Sequence, residues 1–355
     1  MDEIRSEEER DAAEEFGQHI LSEKVYGETR QLGVMPVKLL SGSGTIADLH
    51  IEGGPDVWER VNRPFIVLEC AHPDSTKQSV IYKARVEDDP RESLQTEIDF
   101  YRSISDDFRQ KMLDRGVEIP QILTSDDKAD PPFFVISYIQ GVPIGSIHKS
   151  TTGMIDRERL KKIVYFVSEY KKDCGRARSQ DGGLQTTDRF EQYRRGFEGL
   201  EELKDVLGPD LIAQAKSILQ EINPVIASQP YSFVFKDINP SNILEEDSGI
   251  GVIDFERDSQ SNNPYCDYSF LYITLWNQPE LQEALLQEVL SSSTPDSRKF
   301  ILMDVVFFRI ASEIKYWKKQ EEEDPDGGGK DSPAALIALK GMLIDCLREL
   351  GEGSH

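Results

Sequence analysis

The chain has 355 residues, 38% of them hydrophobic and 9% aromatic, enough for a packed core in one large domain or two ordinary ones. Its formal charge of −24 sets nucleic acid and anionic membranes aside as partners, because their phosphates would be repelled. Four dispersed cysteines, with no CxxC pair and no histidine cluster, exclude a zinc or disulfide framework and fit a reducing cytoplasm.

Residues 1–35 read as a charged helical segment without the apolar stretch of a signal peptide. From about 36 to 86 the pattern is β-rich: VKLLS, TIADLHIE, FIVLECA and SVIYKARV, joined by the turn-type stretches GSG, GGPDVWERVNRP and HPDSTKQ. PRESLQTEIDFYRSI then predicts a helix, with Pro90 near its start and Leu94, Ile98 and Tyr101 on one face. PQILT and PFFVISYI predict two further strands. Beyond a linker near 139–145, helical periodicity dominates, in RERLKKIVYFVSEYKKDC, RFEQYRRGFEGLEELKDVL and DLIAQAKSILQEI. Short β-type runs interrupt it at FVFKDINPSNIL and GVIDFERD, before ELQEALLQEVLSS, RKFILMDVVFFRIASEIKYWKKQ and AALIALKGMLIDCLREL restore it. No apolar run approaches the roughly 18 residues of a membrane span. The fold class is therefore α+β, with a β-rich part over 36–140 and a mainly helical part over 141–350.

The β interruptions carry the chemistry. Asp237 follows Phe233-Val234-Phe235, Asn242 precedes Ile243-Leu244, and Asp254 follows Gly251-Val252-Ile253. Polar residues at the ends of short apolar strands are presented by a scaffold to a cleft. Upstream, Lys83 lies in SVIYKARV and Glu97 on the next helix. Singly, each has a bland reading: a solvent-facing lysine, a surface glutamate, ordinary Asp-Asn-Pro turn chemistry.

In order and spacing together, these residues resemble the protein-kinase-like fold, specifically its aminoglycoside phosphotransferase and choline kinase group. The resemblance covers roughly residues 36–320. VIYK resembles the strand with the kinase lysine, DINPSNIL the catalytic loop with its Asp-x-x-x-x-Asn spacing, and VIDFE the metal-binding aspartate strand. It implies a two-lobed ATP- and Mg²⁺-dependent phosphotransferase acting on the hydroxyl of a small molecule. It implies Asp237 as base, Asn242 and Asp254 as hard oxygen ligands for Mg²⁺, and Lys83, held by Glu97, on the nucleotide phosphates. Ser137 and Ile139 fall at the hinge that grips adenine. Gly42 and Gly44, in SGSGT, fit either a phosphate-covering loop or a plain hairpin turn. An Asp at 267 would open a helix and brace the catalytic loop. The usual histidine ahead of the catalytic loop is replaced by Phe235, so a catalytically silent nucleotide-binding module is the alternative. A protein kinase is disfavoured by Asp-Phe-Glu in place of Asp-Phe-Gly and by the lack of an Ala-Pro-Glu segment. The acidic balance, with Glu191, Glu256 and Asp258 in the helical part, suggests a cationic acceptor. Oligomeric state is not legible.

Overall fold

The computed structural model describes residues 35–39, 65–71, 77–84, 91–126, 133–145, 155–180, 186–235, 238–246, 249–255, 258–294, 296–323 and 331–352. Met35 already belongs to a strand, and the rest of the expected N-terminal helical segment lies outside the described residues. So does the run TIADLHIE. The chain divides into two units, 1–105 with 119–142, and 106–118 with 143–355.

In chain order the first unit holds β1 (Met35–Leu39), β2 (Phe65–Ala71), β3 (Lys77–Ala84) and α1 (Arg91–Ser103). The chain then gives α2 (Asp106–Leu113) and β4 (Val117–Glu118) to the second unit, and returns with β5 (Ile122–Asp126) and β6 (Phe133–Ser137). The five strands form an antiparallel sheet in the order β1-β2-β3-β6-β5. Ile98 and Tyr101 of α1 are buried, as expected of their helical face, and so is Phe100; the Tyr101 and Phe134 ring centroids lie 6.0 Å apart. Arg102 fastens the same helix to β5 by donating to Ser125 Oγ at 2.7 Å.

β7 (Val142–Pro143) falls at the boundary, and the second unit continues with α3 (Arg157–Gln180), β8 (Thr186–Thr187), α4 (Arg189–Glu202), α5 (Lys204–Leu207) and α6 (Pro209–Ala227). Then come β9 (Ser232–Phe235), β10 (Ile243–Glu245), β11 (Ile250–Val252) and β12 (Asp258–Ser261). It closes with α7 (Asp267–Thr274), α8 (Pro279–Ser292), α9 (Ser297–Asp304), α10 (Ile310–Glu323) and α11 (Ser332–Glu352). On α3, Leu160, Ile163, Val164 and Val167 repeat at helical spacing and are all buried. Two small sheets sit among these helices, β4-β11-β10-β7 and β8-β12-β9. The architecture is thus the expected α+β, a sheet-rich smaller part and a helical larger one.

The sequence reads 298–320 as one helix, and the structure interrupts it. Val305–Arg309 forms a π-helical turn between α9 and α10, closed by the Ile310 N–H on the Val305 carbonyl. Neither Pro nor Gly marks the place, so periodicity alone passes through it. Gly196 of α4 meets this turn: a Cβ there would stand 1.8 Å from the Phe307 carbonyl oxygen. Helical spacing in this run predicts a core stripe of Phe307, Phe308, Ile310, Ile314 and Trp317; all are buried except Phe308, which is half-buried.

Candidate active site

The candidate catalytic segment is built from buried anchors. Every residue of β9 after Ser232 is buried, and Phe235 pairs with Asp258 in β12. Asp237 lies outside the described residues; Phe235 before it and Ile238 after it are both buried. Asn239 then caps a 3₁₀ turn, Pro240–Asn242, its Oδ1 accepting from the Ser241 and Asn242 N–H groups at 2.9 and 3.2 Å. The side-chain turn chemistry in DINPSN is therefore carried by Asn239 and Pro240, with Asn242 joining through its backbone N–H.

Asn242 and Asp254 are brought together by one hairpin. Strands β10 and β11 pair in the register Ile243↔Val252, and the Ile253 N–H donates to the Asn242 carbonyl at 2.9 Å. Asn242 is 4% exposed and Asp254 half-buried. Asp254 has φ 64°, the one non-glycine residue in the left-handed region among the described residues. That conformation costs an L residue about 1 kcal/mol, less for Asp than for most. It persists where the surroundings over-determine it, here through the Ile253 hydrogen bond and the fully buried Phe255.

The histidine position is filled by packing. Phe235 stacks on Phe255 with centroids 5.2 Å apart, and both rings meet Phe166 and Tyr170 of α3. The residue two before Asp237 and the residue after Asp254 thus share one aromatic cluster, which fixes the two strand ends to each other. Asp267 is the first residue of α7, as expected, but the N-cap is Cys266 and makes no side-chain cap. The Asp267 carboxylate instead accepts from Lys171 Nζ at 2.7 Å, and Lys171 also donates to the Pro264 carbonyl. Burial pushes the Asp267 carboxyl up from its usual range, opposed chiefly by the Lys171 ammonium. Lys171 was not singled out from sequence; nothing local links it to a residue so far along the chain.

Glu118 and Glu246 lie close beside the other end of this hairpin. Glu118 pairs with Gly251, and Glu246 follows β10. Burial, with the Glu118 charge adding to it and Lys162 opposing, pushes the Glu246 carboxyl up to about 7. Glu191, expected near the acceptor, is engaged by Arg194 at 2.9 Å and Arg195 at 3.1 Å, whose hydrogen bonds hold its carboxyl at about 2.

The nominated nucleotide residues fall in the first unit. Lys83 lies in β3 with Phe65 and Phe134 as its register partners, so its strand is paired on both sides. Glu97 of α1 is fully buried, which a surface glutamate would not be. Ser137 ends β6; its N–H donates to the Gln121 carbonyl at 2.9 Å and its Oγ accepts from the Gln121 N–H at 2.8 Å. Ile139, just beyond, is buried. Gly42 and Gly44 lie outside the described residues.

A model of the phosphotransferase enzyme family (APH) matches residues 77–301, well over half of the chain. The chain belongs to this family. It is a phosphotransferase with the two-lobed kinase-like fold of that family. Among solved structures it is similar to an aminoglycoside phosphotransferase from Alicyclobacillus acidocaldarius, at 13% identity and a TM-score of 0.54, covering 81% of this chain and 90% of that one. It is also similar to aminoglycoside 2'-phosphotransferase-IIIa solved with GDP, at 15% identity and a TM-score of 0.50, covering 78% and 89%. At such identities the likeness speaks for the fold. No curated protein matches the sequence. The family match spans β3 to α9 and so contains Lys83, Glu97, Asn242 and Asp254.

Proposed function

We propose that this family member transfers the γ-phosphoryl group of ATP to the hydroxyl of a small molecule, with Mg²⁺ as the metal. The observation that carries the reading is the β10–β11 hairpin, which sets Asn242 and Asp254 at neighbouring strand ends. Two hard oxygen donors suit Mg²⁺, which takes one or two carboxylates or amides and fills its remaining positions with phosphate oxygens and water. Bound there, the ion would supply charge neutralisation on the transferring phosphates.

The chain's own groups then divide the work. Lys83 offers a point charge to the α and β phosphates, and Glu97 orients it as an ion-pair partner. Ser137 and Ile139 mark the adenine-side strand end, and Gly42 and Gly44 the loop over the phosphates. Asp237 accepts or orients the acceptor's proton as the hydroxyl attacks. On this reading residues 36–140 bind nucleotide, and 141–350 carry the catalytic loop and the acceptor site. ATP dependence and the free thiols of Cys266 and Cys346 fit a cytoplasmic protein. The ion pairs of Glu191 withdraw it from any cationic acceptor, so the acceptor's charge is left to other groups.

Calorimetry with ATP, with and without Mg²⁺, tests the assignment. Lys83→Ala should weaken nucleotide binding roughly tenfold or more while keeping its metal dependence. Asp254→Ala should abolish the metal-dependent part. An Asp254→Ala variant that binds MgATP as tightly as the wild type places the metal elsewhere. Nucleotide binding without acceptor-dependent ADP release, across a panel of hydroxyl metabolites, would favour the silent module.

A further inference from the structure

Arg309 closes the π turn, and no acid contacts its guanidinium group directly among the described residues. Its side chain forms no ion pair and no hydrogen bond among the described residues, and its Nε is buried without a partner. Its Cζ lies over the Phe270 ring at 4.6 Å and over the Phe308 ring at 4.7 Å from the centroids. Arg189 Cζ stands over the same Phe308 ring at 4.4 Å. Two guanidinium groups therefore share one aromatic side chain.

The nearby acid is already used. Asp304, fully buried, faces Arg189 Nε at 3.4 Å and accepts from Ser269 Oγ at 2.5 Å and Tyr193 OH at 3.2 Å. Burial pushes the Arg309 pKa down, and the like charge of Arg189 adds to that, against Asp304 and Glu313. The chain's formal charge of −24 supplies acids in excess, yet none reaches this guanidinium group among the described residues. Elsewhere in the second unit Arg298, also part-buried, has both Glu283 and Glu349.

A half-buried cation whose Nε is shut off from water without a partner costs stability that a bound counter-ion restores. The aromatic faces favour a planar cation, and they leave its five N–H donors to an acceptor from outside. That donor fork matches carboxylate and phosphate oxygens. Phe270, Phe308 and Arg309 are each half-buried, so the cluster reaches the surface where a ligand can meet it. The π turn is what places Arg309 there, and such turns recur at functional sites. We propose that Arg309, flanked by Phe270 and Phe308, is the recognition residue of a second ligand site that binds an oxyanion, a carboxylate or a phosphate group. The oxyanion is carried either by the acceptor molecule or by a free anion acting as an effector.

Thermal unfolding of the full chain tests the site without turnover, so its outcome is separate from that of the proposed reaction. At fixed ionic strength, chloride is exchanged for inorganic phosphate or for succinate. The wild type should gain about 2 °C or more in Tm at saturation. Arg309→Met should not respond, and Arg309→Lys, which keeps the charge and loses the fork, should keep less than half of the response. Phosphate stabilises many proteins by exclusion, which Arg309→Met would share equally with the wild type. In chloride alone Arg309→Met should melt no lower than the wild type, whereas an arginine with a purely structural role would lower it. Equal responses in wild type and Arg309→Met, or none in the wild type, overturn the site; should Arg309→Met not fold, an undiminished response in Arg309→Lys overturns it. Hydroxyl acceptors matched with and without a carboxylate then separate the sources. Loss of preference for the carboxylate form in Arg309→Met assigns the anion to the acceptor, and a change in turnover of a neutral acceptor by phosphate assigns it to an effector.

Discussion

Asp254 joins two features in one residue, the carboxylate proposed here for the metal and a left-handed backbone. The two separate by mutation. Asp254→Gly removes the carboxylate and relieves the φ of 64°, whereas Asp254→Ala removes the carboxylate and adds strain. The glycine variant should be more stable than the alanine variant by about 1 kcal/mol, by urea unfolding, while both lose metal-dependent nucleotide binding. Equal stability of the two would mean that the backbone here carries no strain. Motif spacing alone pointed to the residue. Its backbone conformation was not legible, because Ile-Asp-Phe-Glu reads as a continued strand and only the hairpin with Asn242 bends it. Phe235 gives the converse case. Its substitution for histidine looked like a possible loss of function, and the structure makes it a packing residue of the Phe166, Tyr170 and Phe255 cluster.

The β10–β11 hairpin carries Asn242 and Asp254 near one end and Glu246 at the other. The Glu246 carboxyl is pushed up to about 7, so the folded state holds its proton more firmly than the unfolded chain does. Stability from this group is fully present below the ordinary carboxylate range and is lost as pH rises towards 7. Glu246→Gln should therefore raise Tm relative to wild type at pH 8, and the difference should shrink towards zero near pH 4.5. A constant difference across that range would sink the assignment. The π turn makes a second prediction at this scale. Gly196→Ala would drive a Cβ to 1.8 Å from the Phe307 carbonyl oxygen, backbone that cannot rotate away. It should cost on the order of 3 kcal/mol in chemical unfolding; a loss within about 0.5 kcal/mol would show that α4 has room to shift. Helical periodicity announced α4 and α10, yet no sequence signal announced the π turn or the glycine it requires, since both arise from a contact between distant elements.

For the whole molecule, alternation and helical period were enough to separate the sheet-rich part from the helical part, because each element buries one apolar face. The buried polar contacts were not legible: Arg189 with Asp304, and Lys171 with Asp267, join residues far apart in the chain. Net charge does not single out the groups of one pocket. The −24 balance suggested a cationic acceptor, and at least one of the acids invoked for it, Glu191, is neutralised by its own helix. The central claim is phosphoryl transfer to a hydroxyl, and phosphorus-31 NMR reads it directly. With MgATP and the hydroxyl metabolite panel, the wild type should convert the γ-phosphate resonance into that of a phosphate monoester. Asp237→Asn should bind nucleotide within a few fold of wild type and form the ester roughly 10²-fold more slowly. No ester with any acceptor, or wild-type rates in Asp237→Asn, would contradict the account.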